Sequence, residues 1–139
     1  MNKRKVLFLC TGNSARSQMA EAIVNARMGG AWEAFSAGTK PAENVHPKAT
    51  AVLAEIGIHH EGRTKKPDVF RGTDFDLVVT LCDDAAENCP TWLGKGAKKH
   101  LGFTDPAKVE GTDEEITAAF RKVRDYIAEL IPALLTGVD

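Results

Sequence analysis

The sequence predicts an α/β fold: a three-layer sandwich with a four-stranded parallel sheet and helices on both faces. Three observations predict it. The apolar run Lys5 to Leu9, bounded by charge and by a glycine-containing loop, reads as a strand buried on both faces. Met19, Ala20, Ile23, Val24 and Met28 then recur at helical spacing until Gly29 and Gly30. The same alternation of strand and helix continues down the chain, and it builds parallel sheets covered by helices. A chain of 139 residues is long enough for one core and too short for two, so residues 1–139 read as a single domain.

The remaining elements follow in order. Trp32 to Ala37 forms a second short strand, and Gly38, Pro41 and Asn44 mark the loop after it. Pro47 suits the first turn of a helix. Ala49, Val52, Leu53 and Ile56 line one face of that helix, and Gly57 stops it. Asp76 to Leu81 carries a third buried strand ending at Cys82, and Lys98 to Phe103 a fourth, ending at Thr104, Asp105 and Pro106. The last helix opens on a capping box, Thr112 with Glu115. Ile116, Ala119, Phe120, Val123, Ile127, Leu130, Ile131 and Leu134 keep its period, with a kink or frayed end at Pro132.

Bulk properties narrow the function. A net charge of −1 gives no overall positive field for nucleic acid or an anionic membrane, although a local site can still draw a small anion. The apolar run near the N-terminus, Val6 to Cys10, is too short for a signal-peptide core or a membrane span, so a cytoplasmic protein is expected. It is also expected to be a monomer. Three cysteines, at 10, 82 and 89, make no paired disulfide framework, and in a reducing compartment they suggest reactivity. No histidine stands at zinc-finger spacing from a cysteine pair, so no metal is expected, and no organic cofactor either.

In a parallel sheet ligands bind beyond the carboxyl ends of the strands, where Cys10, Cys82 and Asp105 all fall. The segment Cys10, Thr11, Gly12, Asn13, Ser14, Ala15, Arg16, Ser17 joins the first strand to the first helix. Backbone N–H groups at a helix start can converge on a tetrahedral anion, and Arg16 adds a planar fork for two of its oxygens. The same field favours a nucleophilic thiolate at Cys10, with the Ser17 hydroxyl as a donor to it.

Cys10 to Arg16 resembles the C-x5-R anion loop of the low-molecular-weight protein tyrosine phosphatases and of the arsenate reductases built on their fold. That resemblance implies Asp105, followed by Pro106, as general acid to the leaving oxygen. Leu77 to Cys82, then Cys89 and Pro90, look like the thioredoxin-coupled arsenate reductases. Ser36, Ala37 and Gly38, the pair His46 and Pro47, and Gly102, Phe103 with Asp105, Pro106 and Ala107 add to the likeness, which covers nearly the whole chain.

The resemblance implies a relay. Cys10 attacks arsenate, water leaves with help from Asp105, and Cys82 attacks the Cys10 sulfur, releasing arsenite. Cys89 then attacks Cys82, and thioredoxin reduces the Cys82–Cys89 disulfide. Residues seven apart on an intact helix lie roughly 10.5 Å apart along its axis, beyond the ~7 Å limit between disulfide-bonded Cα atoms, so the segment from Asp83 to Asn88 must bend or unfold. Two rivals stay open: a phosphatase using Cys10, Arg16 and Asp105 alone, and a non-enzymatic oxyanion or redox sensor. Weak phosphatase activity can accompany reduction, because arsenate and phosphate share geometry.

Some relatives carry a second cysteine where Ala15 stands. Some also bind potassium through polar groups resembling Asn13, Glu21 and Ser36 with a nearby acidic residue, where this chain reads Arg63, Thr64, Lys65, Lys66, a stretch whose lysines can occupy the cation's place. Asn13 is then expected to brace the loop. His59 and His60 are read as solvent-exposed, Gln18 and Met19 as ordinary first-turn residues, and Lys95, Lys98, Lys99 and His100 as a solvated basic face.

Overall fold

A computed structural model describes residues 3–82, 92 and 94–137. Four parallel strands run β1 (Arg4–Cys10), β2 (Trp32–Gly38), β3 (Leu77–Thr80) and β4 (Ala97–His100), in the order β2-β1-β3-β4. Three α-helices, α1 (Arg16–Arg27), α2 (Pro47–Glu55) and α3 (Asp113–Thr136), join 3-10 turns at Pro67–Phe70 and Pro106–Lys108. This is the four-stranded α/β architecture that the alternation predicted. Among the described residues no helix is long and apolar enough to cross a membrane.

Both faces of the sheet are covered, which is why β1 and β3 read as continuous apolar runs rather than alternating ones. On one face Val6, Phe8, Leu77 and Val79 lie under Met19, Ile23, Val52, Leu53, Phe120, Ile127 and Ile131, so all three α-helices pack here. On the other, Leu7, Leu9 and Val78 meet Phe35, Phe70, Phe75 and Trp92. Those rings pack edge to face with centroids 5.4 to 5.8 Å apart, the geometry their quadrupoles favour. The cover on this second face comes, among the described residues, from the 3-10 turn Pro67–Phe70 rather than from an α-helix.

Several boundaries differ from the sequence reading. The fourth strand ends at His100 rather than Phe103, because the chain leaves regular pairing there while Leu101 N–H still donates to Thr80 O and Phe103 N–H to Leu81 O. All four residues of β4 are exposed, since it is an edge strand and its side chains are short or polar. At α3 the capping box forms: Glu115 N–H donates to Thr112 Oγ1 at 3.1 Å and Thr112 N–H to Glu115 Oε1 at 3.2 Å. The helix then runs through Pro132 to Thr136. Proline removes one backbone donor, yet Ile131 and Leu135, both buried, hold the last turn against the core. Leu130, counted in the apolar period, is 41% exposed. The segment from Asp83 to Asn88, expected to bend or unfold, lies outside the described residues.

Parallel pairing has a direct consequence for function. With Leu9 opposite Ala37 and Thr80, the chain leaves β1, β2, β3 and β4 at one end of the sheet. Cys10, Gly38, Cys82 and Asp105 are therefore carried toward the same rim.

Candidate active site

The anion loop is shaped from outside. Lys40 N–H donates to Thr11 O at 2.9 Å, Ala42 N–H to Gly12 O at 2.8 Å and His46 N–H to Ser14 O at 2.9 Å. Three loop carbonyls are thus turned toward the segment after β2, so the loop's own N–H groups are available to its concave side, as anion-binding turns require. Gly38 lets the two segments approach: a Cβ there would sit 2.5 Å from Thr11 O and 2.8 Å from Asn13 N. Asn13 takes the left-handed conformation, φ 51°, which asparagine tolerates better than most residues. Ala15 offers α1 no side-chain cap, leaving the first-turn donors unclaimed by a capping side chain.

Cys10 is a free thiol, 1% exposed, at the floor of this loop. Its sulfur lies 2.9 Å from Ser17 Oγ and accepts the Asn13 N–H at 3.3 Å. Asn13 Nδ2 donates to that same Ser17 oxygen at 2.8 Å, which leaves the hydroxyl hydrogen for the sulfur. Two donors, the Ser17 hydroxyl and the Asn13 N–H, therefore face the Cys10 sulfur. Arg16, only 2% exposed, donates through one nitrogen to Phe103 O at 3.1 Å and places the other 3.5 Å from Asp105 Oδ2. Asp105 caps the 3-10 turn, its Oδ1 accepting Ala107 N–H at 3.0 Å. The fold so brings together Cys10, Arg16, Ser17 and Asp105, with Thr11, Gly12, Asn13, Ser14 and Ala15 forming the turn between them.

Cys82 is fully buried beyond the end of β3 and is disulfide-bonded. The carbonyl of Cys82 would be 3.0 Å from a Cβ at position 102, so Gly102 keeps the β4 exit close to it. Cys89 lies outside the described residues.

Behind the loop stands a buried polar network that the sequence reading missed. Gln18, fully buried, is no ordinary first-turn residue: its amide nitrogen donates to Asn13 O and Oδ1 and to Arg63 O, at 2.9 to 3.2 Å. Its oxygen faces His60 Nε2 at 2.7 Å, so His60 donates and is not solvent-exposed, with 9% of its side chain accessible. His59 is exposed, as expected, at 83%. Burial pushes the His60 imidazole below its ordinary value, with Lys65 and His59 acting the same way. Ser36 Oγ donates to Glu21 Oε1 at 3.0 Å, and Lys65 N–H donates to Asn13 Oδ1 at 3.0 Å. Burial raises the Glu21 carboxyl while Lys65 opposes that, and burial lowers the Lys65 amine while Glu21 opposes that. The Lys65 ammonium thus acts electrostatically on Glu21, while its backbone N–H is what meets Asn13. Among the described residues no three His, Cys, Asp or Glu side chains gather to hold a metal.

Comparisons with known proteins place the chain in a family and beside solved relatives. A model of the low molecular weight phosphotyrosine protein phosphatase family matches residues 5–139. An arsenate reductase of Halalkalibacterium halodurans is 48% identical over 132 residues, 94% of each chain. An arsenate reductase solved in its oxidized state superposes with a TM-score of 0.78 at 29% identity, over 98% of this chain and 99% of that one. A thioredoxin-dependent arsenate reductase of Corynebacterium glutamicum gives a TM-score of 0.63 at 30% identity, over 96% of this chain and 63% of that one.

Proposed function

The chain belongs to the low molecular weight phosphotyrosine protein phosphatase family, and we propose that within it this protein reduces arsenate to arsenite with electrons from thioredoxin. The observation that carries the reading is the Cys10 sulfur on the floor of an anion loop, faced by Ser17 and Asn13 donors, with Arg16 turned toward Asp105.

The oxyanion sits in the turn Thr11 to Arg16, its oxygens held by backbone N–H groups and the Arg16 guanidinium. The Cys10 thiolate attacks arsenic, and an As–O bond breaks. Asp105 delivers the proton with which that oxygen leaves as water. Cys82 then attacks the Cys10 sulfur. The S–As bond breaks, its electron pair stays on arsenic, which becomes arsenite, and Cys10 and Cys82 are left as a disulfide. Attack by Cys89 on Cys82 regenerates Cys10, and the two thiols of thioredoxin reduce the Cys82–Cys89 pair.

Two features support a reductase over a phosphatase that uses Cys10, Arg16 and Asp105 alone. A phosphatase has no redox use for Cys82 and Cys89, and the relatives named above are arsenate reductases. Weak hydrolysis of phosphate esters belongs to the same reading, since one loop fits both tetrahedral anions. The protein works as a cytoplasmic monomer of one domain, where reduced thioredoxin is at hand.

The test is arsenate-dependent NADPH oxidation coupled through thioredoxin and thioredoxin reductase, beside p-nitrophenyl phosphate hydrolysis. Arsenate turnover is expected in the native protein and is expected to vanish in Cys10→Ser, Cys82→Ser and Cys89→Ser. Brisk ester hydrolysis with no arsenate turnover makes the protein a phosphatase.

A further inference from the structure

His46 joins three parts of the molecule. Its backbone N–H donates to Ser14 O at 2.9 Å, the third of the bonds that turn the anion-loop carbonyls outward. Its ring is the N-cap of α2, Nδ1 accepting Lys48 N–H at 3.1 Å, with Pro47 at the first helical position. The ring also packs on Phe120 of α3 at 4.6 Å between centroids.

That cap fixes the protonation state. Nδ1 can accept only while it carries no proton, so the neutral ring has its hydrogen on Nε2. A second proton would set N–H against N–H at 3.1 Å. It would also put a positive charge at the start of a helix whose first turn holds no acidic residue and does hold Lys48, where the helix dipole opposes it. An imidazolium must therefore leave the cap, and the residue that moves carries the N–H bonded to Ser14.

The charges around the ring agree with this geometry. Burial and Lys48 on α2 push the imidazole below its ordinary value, and Asp105, on the 3-10 turn, acts the other way. Asp105 is itself beside Arg16 of α1. The α3 groups next in line, Asp113 and Thr117, accept from the Lys48 amine, while Phe120 is the α3 residue packed on the ring.

We propose that His46 is a positioning residue for the oxyanion loop: its neutral ring caps α2 and so holds the backbone N–H that orients Ser14, and protonation of the ring releases the loop. The proposal rests on the reading of Cys10 to Arg16 as an oxyanion site. It assigns the acid limit of anion binding to a residue that touches neither substrate nor Cys10.

The experiment measures inorganic phosphate dissociation constants and arsenate kcat/KM for the native protein, His46→Asn and His46→Ala, at about pH 7.5 and about pH 4.5, above and well below the ordinary histidine value, because burial holds this ring under it. Asparagine caps a helix with a side-chain oxygen that does not titrate in this range. Near pH 7.5 native protein and His46→Asn are expected to bind phosphate alike. On acidification the native protein should weaken by about five-fold more than the asparagine variant, and His46→Ala should bind weakly at both values. Phosphate's own titration is common to all three and cancels in the ratios. A constant native-to-asparagine ratio overturns the proposal, and so does a His46→Asn protein as weak as His46→Ala near pH 7.5. A native protein that binds no phosphate at either pH instead removes the oxyanion-site reading, and this proposal with it.

Discussion

At the scale of single residues, the loop divides its work between groups that grip the anion and groups that hold the sulfur. Arg16 belongs to the first set, and its two bonding directions, to Phe103 O and toward Asp105, need a planar fork that an ammonium lacks. Arg16→Lys is therefore expected to lower arsenate kcat/KM by about a hundred-fold, the usual scale for losing one oxyanion donor, while the fold survives. Steady-state kinetics with unchanged circular dichroism checks it. Ser17 belongs to the second set. Ser17→Ala removes one donor from Cys10 and leaves Asn13 Nδ2 without its acceptor, so alkylation of Cys10 by iodoacetamide should slow by about ten-fold. Unchanged alkylation would place the sulfur's support in the Asn13 N–H instead.

At the scale of elements, the close packing of the β2 exit against the anion loop is the most exacting contact. Gly38→Ala would drive a Cβ into Thr11 O and Asn13 N, both backbone atoms that cannot step aside cheaply. A loss of about 1–3 kcal/mol in unfolding free energy is expected, with oxyanion binding weakened because the displaced atoms belong to the loop. Chemical denaturation and phosphate binding on one preparation measure both effects. The sequence announced this region unevenly. Cys10, Arg16 and Ser17 fall within one strand-to-helix turn, so their pattern is local and legible. Gln18 and His60 were misjudged, and which lysine of the 63–66 stretch stands near Glu21 was left open, because their partners are 42 to 52 positions apart and only the packing of α1 against the chain after α2 unites them. His46 escaped notice as a cap because histidine is not among the usual N-cap residues, although the proline after it marked the helix start. The fourth strand was displaced because Leu101 and Phe103 supplied an apolar signal, whereas the strand itself is Ala97, Lys98, Lys99 and His100 on an open edge.

At the scale of the whole molecule, the titrating groups divide the acid response into two ranges. Burial holds the imidazoles of His46 and His60 below their ordinary value of about 6.5, so the unfolded chain binds protons more readily than the native one as pH falls. The stability they leave intact above about 6.5 is therefore lost as pH drops from there through their lower native values. Glu21 runs the other way. Burial raises its carboxyl, so it favours the native state at low pH and offsets part of the histidine loss as pH falls toward about 4.5. Glu55 acts lower still: bonds from Arg121 and Arg124 hold its carboxyl at about 2, so its stabilisation is present above about 4.5 and disappears between there and about 2. Unfolding free energy measured against pH should thus fall first below about 6.5 and again below about 4.5. The double variant His46→Asn with His60→Gln is expected to flatten the first fall and keep the second, and Glu55→Gln the reverse. If the double variant loses stability between about 6.5 and 4.5 as steeply as the native protein, the two buried imidazoles are not what couples this fold to acid.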